Sequence, residues 1–377
     1  MYDLIIKNGT VIDPANGVHG QADVVIDNGL VITFDTGKLP EARYILDASG
    51  CYVTPGLIDY HLHLAPLAEI GVYGETACFP SGVTTAVDCG SSGAGTYEGH
   101  RHAILSSPLT IKSFLHVCSA GLATGQYHEN PDPKFWDRPK ITRLFRKYPD
   151  ELIGLKVRQG AEIVGHLGLE PLTEAVKLAE SLGVPVMVHC SNPPSALSDM
   201  LALLRHGDIL THAFQDKGYS LLDEGGKIIQ AAHHARERGV IFDVANATIH
   251  FSFAVAKQAI AEGFLPDTIS TDLTTRSLYK RPAVFNLAFV LSKFLNLGMT
   301  MDQIIASTTA IPARLIGLEG RAGCLSPGSA GDVAVFKEIE HYTEFGDRTG
   351  VIIGGTRLLK PMLTVKAGEM VYRDMGF

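Results

Sequence analysis

The hydrophobic positions near the two ends of the chain alternate in short runs that are typical of β-strands. The N-terminal runs are Leu4–Lys7, Val11–Ile12, Ala22–Ile26 and Val31–Phe34, with predicted turns at Asn8-Gly9, Asn16-Gly17 and Asn28-Gly29. The C-terminal runs are Asp332–Phe336, Val351–Ile353 and Met362–Val365, with predicted turns at Gly354-Gly355 and Ala367-Gly368. Neither end has enough strands for a stable sheet alone. We therefore expect both termini to meet in one small β domain.

Between residues 54 and 321 the pattern changes, and short apolar strands alternate with amphipathic helices. The predicted strands are Leu57–His63, Thr84–Cys89, Ile111–Val117, Leu152–Val157, Pro185–His189, Ile209–His212, Val240–Val244 and Thr268–Asp272. The clearest predicted helices are Pro171–Leu182, Lys227–Arg238, Phe253–Glu262 and Met301–Ile316, the last with a break at Pro312. This rhythm predicts an α/β fold with a (β/α)8 barrel over 54–321 and a small β domain from 1–53 and 322–377. A doubly wound sheet is the alternative, but the first strand leads into His-Leu-His instead of a glycine-rich phosphate turn.

Composition restricts the partners. The 377 residues carry a net charge of −8, without a Lys/Arg cluster, so we expect a small-molecule substrate and no nucleic acid. No apolar run approaches the ~20 residues that a membrane-spanning helix needs, and no secretory signal is evident. The six cysteines lack metal or disulfide spacing and are interpreted as free thiols, which favours a cytoplasmic protein. A homo-oligomer is expected from base rates alone.

Residues that can bind a metal lie at the ends of several predicted strands, and the carboxyl ends of barrel strands form the active face. His61 and His63 are two residues apart on one strand and so point the same way. His189, His212 and Asp272 end three later strands. Taken singly, each histidine is also compatible with a hydrogen-bonded core residue, and Asp272 with a helix N-cap. Together they predict a metal site, because imidazole and carboxylate groups at converging strand ends can share an ion.

Lys156 lies inside the apolar strand Leu152–Val157, where an ammonium group is costly to bury. One interpretation is a lysine paired with a nearby carboxylate. The other is a neutral amine that takes up carbon dioxide to form a carbamate, an anionic ligand with two oxygens that can bridge two metals.

These segments resemble the amidohydrolase superfamily, in particular its dihydroorotase-like and deacetylase-like branch. The matching residues are Val53–His63, Lys156, His189, His212, Ser270–Asp272 and Gly323–Phe336. The resemblance implies a distorted barrel with a small β-sandwich built from both termini. It also implies two divalent metals, usually zinc. His61, His63 and Asp272 would hold the more buried ion and His189 and His212 the other, with a carboxylated Lys156 and a hydroxide between them.

We therefore predict a metal-dependent hydrolase that cleaves an amide, cyclic amide or ester bond of a small, carboxylate-bearing molecule. A metal-bridging hydroxide would attack the carbonyl, with Asp272 as general base and then general acid. The predicted activity is dihydroorotase-like or N-/O-acyl deacetylation. Alternatives are a mononuclear deaminase of a nucleobase-like substrate, which needs no Lys156, a phosphotriesterase or lactonase, and a scaffold protein without metals.

Substrate contacts are predicted on the loops that follow the strands. Arg158 can clamp a carboxylate, or form a surface salt bridge instead. Tyr97 ends the glycine-rich stretch after the second strand, and Asn246, His250 and Arg276 lie on later loops. The related branch is expected to carry Asp-Val-Gly-His-Gly where this chain has Asp243-Val-Ala-Asn-Ala247, so the substrate of the nearest relatives is not carried over.

Overall fold

The computed structural model describes residues 1–34, 41–64, 70–123 and 129–377. In these ranges the chain forms two sheets and a set of short helices. The strands are β1 (Tyr2–Asp13), β2 (Val18–Asp27), β3 (Leu30–Phe34), β4 (Ala42–Asp47), β5 (Tyr52–Pro55), β6 (Leu57–Leu62), β7 (Val83–Gly93), β8 (Thr110–His116), β9 (Leu152–Arg158), β10 (Val186–His189), β11 (Ile209–Thr211), β12 (Ile241–Asp243), β13 (Val333–Gly346), β14 (Ile352–Lys366) and β15 (Glu369–Arg373).

The first sheet joins strands from both ends of the chain, in the order β15-β14-β13-β5-β1-β2-β3, with β4 paired to β1. β5 connects the two ends, because it pairs parallel with β1 and antiparallel with β13. The inward side chains of this sheet, such as Ile6 of β1, Val53 of β5 and Val335 of β13, form one buried cluster. The alternating apolar residues of both termini are therefore buried in the same hydrophobic core.

The predicted turns at the termini were correct in part. Asn28-Gly29 joins β2 to β3 and Ala367-Gly368 joins β14 to β15, each with two positive φ angles. The predicted turn at Asn8-Gly9 was wrong, since these residues form an irregularity inside the long strand β1. Gly354-Gly355 likewise lies inside β14. At Asn8 the φ angle is +61°, so the chain makes a local bulge and then continues in the same strand, whereas Gly354 and Gly355 pair directly with β13. In both places pairing with neighbouring strands overrides the local turn propensity.

The second sheet is parallel, with the order β12-β11-β10-β9-β8-β7-β6. The predicted eighth strand, Thr268–Asp272, forms isolated bridges instead of a regular strand. Its backbone still reaches both edges: Val244 N–H donates to Thr268 O (3.0 Å) and Asp272 N–H donates to His61 O (2.7 Å). The sheet is thus curled, a half-barrel in its regular strands, and both edges meet the segment 268–273.

The helices lie between and after these strands. They are α1 (Gly74–Cys78), α2 (Tyr97–Ile104), α3 (Arg138–Lys147), α4 (Ala161–Val164), α5 (Glu170–Leu182), α6 (Leu197–Leu203), α7 (Gln230–Glu237), α8 (Phe253–Ala261), α9 (Leu287–Asn296), α10 (Met301–Ala306) and α11 (Ala310–Leu315), with 3-10 turns at Phe79–Ser81, Pro133–Phe135 and Gly165–Leu167. Throughout the described residues, no helix has the length and apolar character needed to cross a bilayer.

The predicted helices α5, α7 and α8 are confirmed within a few residues. The predicted helix Met301–Ile316 is divided, but its break falls at residues 307–309 and Pro312 lies inside α11. α9 was not predicted: every side chain from Leu287 to Leu295 is buried, and this stretch is largely apolar, without a polar face that would mark it as a surface helix. It packs against β14, which also contacts β7 of the parallel sheet.

Candidate metal centre

The six residues predicted as metal ligands come together at one end of the parallel sheet. His61 lies in β6, Lys156 in β9 and His189 at the end of β10. His63, His212 and Asp272 follow β6, β11 and the last bridge of the curled sheet. All six are buried. A cavity of about 230 Å³ is lined by five of them, namely His61, His63, Lys156, His189 and Asp272.

His61, His63 and Asp272 form a first group, whose ligand atoms all lie within 4.8 Å of one another. The Asp272 Oδ1 atom is 3.2 Å from His63 Nε2 and 3.7 Å from His61 Nε2. Both rings have a partner on the side away from the cavity. His61 Nδ1 lies 2.9 Å from Thr211 Oγ1, which gives its own proton to Asp243, and 3.3 Å from Asp243 Oδ2. His63 Nδ1 lies 3.1 Å from Ser91 Oγ. Because a carboxylate only accepts, His61 Nδ1 carries the proton and its Nε2 presents a lone pair to the site.

His189 and His212 face each other with 2.8 Å between Nδ1 of the former and Nε2 of the latter. The His212 Nδ1 atom lies 2.9 Å from the carbonyl oxygen of Ala245, which can only accept, so this nitrogen also carries its proton. The Nε2 lone pair of His212 is therefore directed toward His189. Two imidazole nitrogens at this separation suit two neighbouring ligands of one ion.

The Lys156 amine lies beside the first group, with Nζ 3.2 Å from His61 Nε2. Its side chain is 2% exposed, and no carboxylate within salt-bridge distance of Nζ is found among the described residues. Burial lowers the pKa of Lys156 from its ordinary value. The paired-lysine interpretation thus finds no partner in the described ranges, and burial makes the neutral amine more accessible than it is for an exposed lysine.

Burial also keeps the imidazoles neutral. It lowers the pKa of His61 to about 4. The pKa values of His189 and His212 lie well below the ordinary value for the same main reason. For Asp272 burial acts in the opposite sense, but the hydrogen bond from His63 and the nearby imidazoles outweigh it, and the pKa is lowered. Neutral imidazoles and an ionised carboxylate are the forms that bind divalent cations.

Asp243 is a supporting residue that was not predicted from the sequence. Its Oδ1 accepts from Thr268 (2.7 Å) and Ser270 (2.6 Å), and its Oδ2 accepts from Thr211 (2.7 Å) beside His61. It lies at the end of β12, in the segment already noted for its departure from the related branch. Its position at a strand end was the available signal. Its role in orienting His61 depends on contacts with β6, β11 and residues 268–270, which are remote from it in sequence.

Three of the five residues predicted to contact substrate line the cavity, and two do not. Arg158, His250 and Arg276 line the cavity. Tyr97 lies instead in α2, where its hydroxyl donates to Glu151 (3.0 Å). Asn246 is fully buried behind the cavity and accepts a hydrogen bond from Lys293 Nζ (2.9 Å). Neither of these two belongs to the cavity lining in the part of the chain that the structure describes.

Four residues around the site have positive φ angles although none is glycine: His212 (62°), Ala245 (38°), Ala247 (44°) and Asp272 (50°). Such angles cost about 1 kcal/mol or more for a residue with a Cβ, and they cluster at functional sites. At two of these positions the related branch is expected to have glycine, which adopts this conformation without strain.

A third group of potential ligands lies next to the cavity. His116, Cys118 and Glu129 have ligand atoms within 4.8 Å of one another. Glu129 is already ion-paired with Arg158 at 2.9 Å. This pair orients the guanidinium group toward the cavity, so Glu129 acts here as the partner of Arg158.

Comparison with known proteins agrees with this geometry. The model of the amidohydrolase family matches residues 52–358. A deacetylase of Agrobacterium fabrum is 33% identical over 337 residues, which cover 89% of this chain and 82% of that protein. The crystal structure of a dihydroorotase superposes with a TM-score of 0.90 at 30% identity, covering 98% of both chains. That of an adenine deaminase gives 0.91 at 27% identity, covering 99% of this chain and 100% of that one.

The chain therefore belongs to the amidohydrolase family, and it is a hydrolytic enzyme. Its relatives include proteins named deacetylase and dihydroorotase. The adenine deaminase likeness corresponds to the alternative considered from the sequence, but hydrolysis of an amide, cyclic amide or ester bond fits the set of relatives better.

Proposed function

We propose that this enzyme hydrolyses the acyl ester or amide bond of a small molecule, with two divalent metal ions and a carboxylated Lys156. The observation that carries the proposal is the arrangement of two ligand groups in one buried cluster with the Lys156 amine. The deacetylase named above supports acyl transfer to water over opening of a cyclic amide, because it is a relative at 33% identity.

The donor set fits two ions. His61, His63 and Asp272 would hold one, and His189 and His212 the other, in each case through atoms that face a common centre. Ions bound there would lower the pKa of water and polarise the scissile carbonyl. Imidazole and carboxylate ligands suit zinc, and they also accept manganese, cobalt or iron.

Lys156 supplies the remaining ligand if its amine adds to carbon dioxide. In that reaction a bond forms between Nζ and the carbon atom, one proton leaves the nitrogen, and the product is an anionic carbamate with two oxygens. The neutral amine is the reactive form, and burial without a carboxylate partner in the described residues favours it. The resulting negative charge would balance part of the charge of the ions.

Asp272 is proposed as the group that moves the proton. It lies at the cavity with one oxygen 3.2 Å from His63, and its low pKa keeps it ionised at neutral pH. It would accept a proton from the attacking water and deliver it to the leaving oxygen or nitrogen. Arg158 and Arg276, which line the same cavity, would bind a carboxylate on the substrate.

The same comparison supports an architectural proposal. We propose a small β-sandwich domain from residues 1–53 and 322–377. Residues 54–321 would form a distorted (β/α)8 barrel, in which the segment 268–273 closes the gap between the first and last strands. The supporting observations are the single sheet shared by both termini and the backbone bonds of Asp272 and Val244 across the gap. A homo-oligomeric state stays a prediction.

Lys156→Ala tests the proposed centre. Because this change would remove the proposed carbamate ligand, we expect activity toward acetylated carboxylic acids to fall by at least about a thousandfold, with partial rescue by added short carboxylic acids. Lys112→Ala, which removes a lysine from the neighbouring strand β8 outside the cavity, is the matched control and should keep activity.

Full activity of Lys156→Ala without added acid would contradict the carbamate proposal. Elemental analysis of protein purified without chelator and with bicarbonate should give about two metal equivalents per chain. Ammonia release from nucleobase-like compounds, with no release of acetate from acetyl esters or amides, would instead support the deaminase alternative.

A further inference from the structure

A third histidine lies against the second pair of predicted ligands. The ring of His250 is 4.1 Å from that of His212 and 4.9 Å from that of His189, measured between centroids. The rings of His189 and His212 are themselves 4.4 Å apart. One ligand nitrogen from each of the three lies within 4.8 Å of the other two. The three imidazoles thus surround one point.

His250 is not explained as a hydrogen-bonded core residue. It is 9% exposed, and its Nδ1 is buried without a hydrogen-bond partner among the described residues. Its ring lines the metal cavity and also the adjoining cavity of about 310 Å³. A buried imidazole that faces a cavity with a nitrogen unsatisfied lacks the partner such groups normally have.

The backbone that carries His250 is fixed at its start by the curled sheet. Asn246 N–H donates to Ser270 O (3.0 Å) and Ala247 N–H donates to Thr271 O (2.9 Å), directly before Asp272. The carbonyl of Ala245 accepts the His212 Nδ1 proton (2.9 Å). The segment is therefore attached to both ligand groups.

Its far end is fixed by two other elements. Ser252 N–H donates to Phe214 O (2.9 Å), two residues after His212. The tip of the β13–β14 hairpin contributes two bonds: Arg348 N–H to Phe251 O (3.0 Å), and Phe253 N–H to Asp347 Oδ2 (3.0 Å). A ligand needs this kind of support, since a metal site tolerates little displacement of its donor atoms.

We propose that His250 is a third imidazole ligand of the ion held by His189 and His212, an inference that rests on the proposed metal centre. Three imidazoles favour zinc, cobalt, nickel or copper over magnesium and calcium, which prefer oxygen ligands. This position should therefore discriminate among metals more strongly than the carboxylate-containing position of His61, His63 and Asp272.

The test is a titration of chelator-treated protein with Co²⁺, followed by visible absorption and by elemental analysis. The variants are His250→Ala and His250→Phe, the second of which keeps a ring against His212 but has no nitrogen. The control is Ile249→Ala, which changes the neighbouring cavity residue, 60% exposed, and leaves the imidazole in place. Thermal unfolding confirms that each variant is folded.

We expect wild type and Ile249→Ala to bind about two equivalents with the same spectrum. Both His250 variants should bind the second equivalent at least about tenfold more weakly, with a changed absorption band. Unchanged affinity and spectrum in His250→Phe would overturn the inference, and a raised KM alone would then make His250 a substrate contact. If wild type takes up only one equivalent, the two-metal proposal is contradicted. If the His250 variants then lose that single equivalent, the proposal that His250 is a metal ligand is still supported.

Discussion

The Lys156 side chain packs against Gly90, a residue without a side chain of its own. Gly90, in β7, has a φ of +87°, and a Cβ added there would lie 2.7 Å from Lys156 Cγ and 2.9 Å from Lys156 Cβ. Real Cβ atoms do not approach so closely, and φ in this range is strained for other residues. A glycine is thus required at position 90 for Lys156 to keep its position. This requirement could not be recognised from the glycine-rich sequence after the second predicted strand.

Gly90→Ala should therefore displace Lys156 and abolish most hydrolase activity. We expect a loss of about 1 to 3 kcal/mol in the free energy of unfolding, from backbone strain and the steric clash together. Gly165→Ala is the matched control, because Gly165 also has a positive φ (52°) but open space where the Cβ would lie. Denaturant unfolding and initial rates check both variants, and a fully active Gly90→Ala would show that Lys156 can be moved without effect.

The long hairpin of β13 and β14 contacts both the sheet of the termini and the helix α9. Near Val333 it pairs with β5 in the sheet of the termini. At its far end Phe345 is fully buried, with its ring 4.9 Å from that of Phe289 in α9. The hairpin tip then holds the segment that carries His250. The element that completes the terminal sheet therefore also supports the candidate site.

Phe345→Ala should separate the hairpin from α9. The large buried ring is lost, so we expect the free energy of unfolding to fall by about 3 to 5 kcal/mol. Activity should also fall, because the hairpin tip supports residues 250–253. Phe135→Ala removes a ring that is 61% exposed and should change stability by less than about 0.5 kcal/mol. Equal unfolding midpoints for the two variants would contradict this role of the hairpin.

At the scale of the whole molecule, Lys293 connects three regions that are distant in sequence. From α9 its Nζ donates to Asn246 Oδ1 (2.9 Å), Ala283 O (2.7 Å) and Gly346 O (3.1 Å). Its amine also lies 4.4 Å from the centre of the Phe251 ring. The lysine is fully buried, and burial lowers its pKa from 10.5 to about 7. Three acceptors match the three donors of an ammonium group, but burial outweighs these hydrogen bonds and the pKa is still lowered.

This lowered pKa predicts a pH dependence of stability. Between pH 7 and 10.5 the unfolded chain binds more protons at Lys293 than the folded one, so the folded state gains stability as pH rises. The stability of wild type relative to Lys293→Met should therefore increase over this range, by at most about 1.4 kcal/mol per pH unit, and level off below pH 7.

Denaturant unfolding at pH 7, 8, 9 and 10 measures this difference, with Lys293→Gln as a second variant. Lys177→Met removes a lysine whose side chain is 63% exposed on α5, and it controls for the general effect of losing a lysine. A constant difference between wild type and both Lys293 variants across the series would show that burial does not perturb this amine.

The sequence by itself determined most of the strands of both sheets and the six candidate ligands. Strand alternation places His61 and His63 on one face, His189, His212 and Asp272 end predicted strands, and Lys156 is a charged residue inside an apolar one. These signals are local and can be recognised along the chain. The family resemblance rested on the same residues.

Only the tertiary structure decided the rest. The continuation of β1 past the bulge at Asn8-Gly9 and the buried helix α9 depend on neighbours that are remote in sequence. The same is true of Asp243 behind His61 and of His250 beside His212. The physical reason is that local propensity and periodicity describe a residue's relation to its own segment. The energy of a buried charge, an unsatisfied nitrogen or a strained turn is set by the groups that packing brings against it.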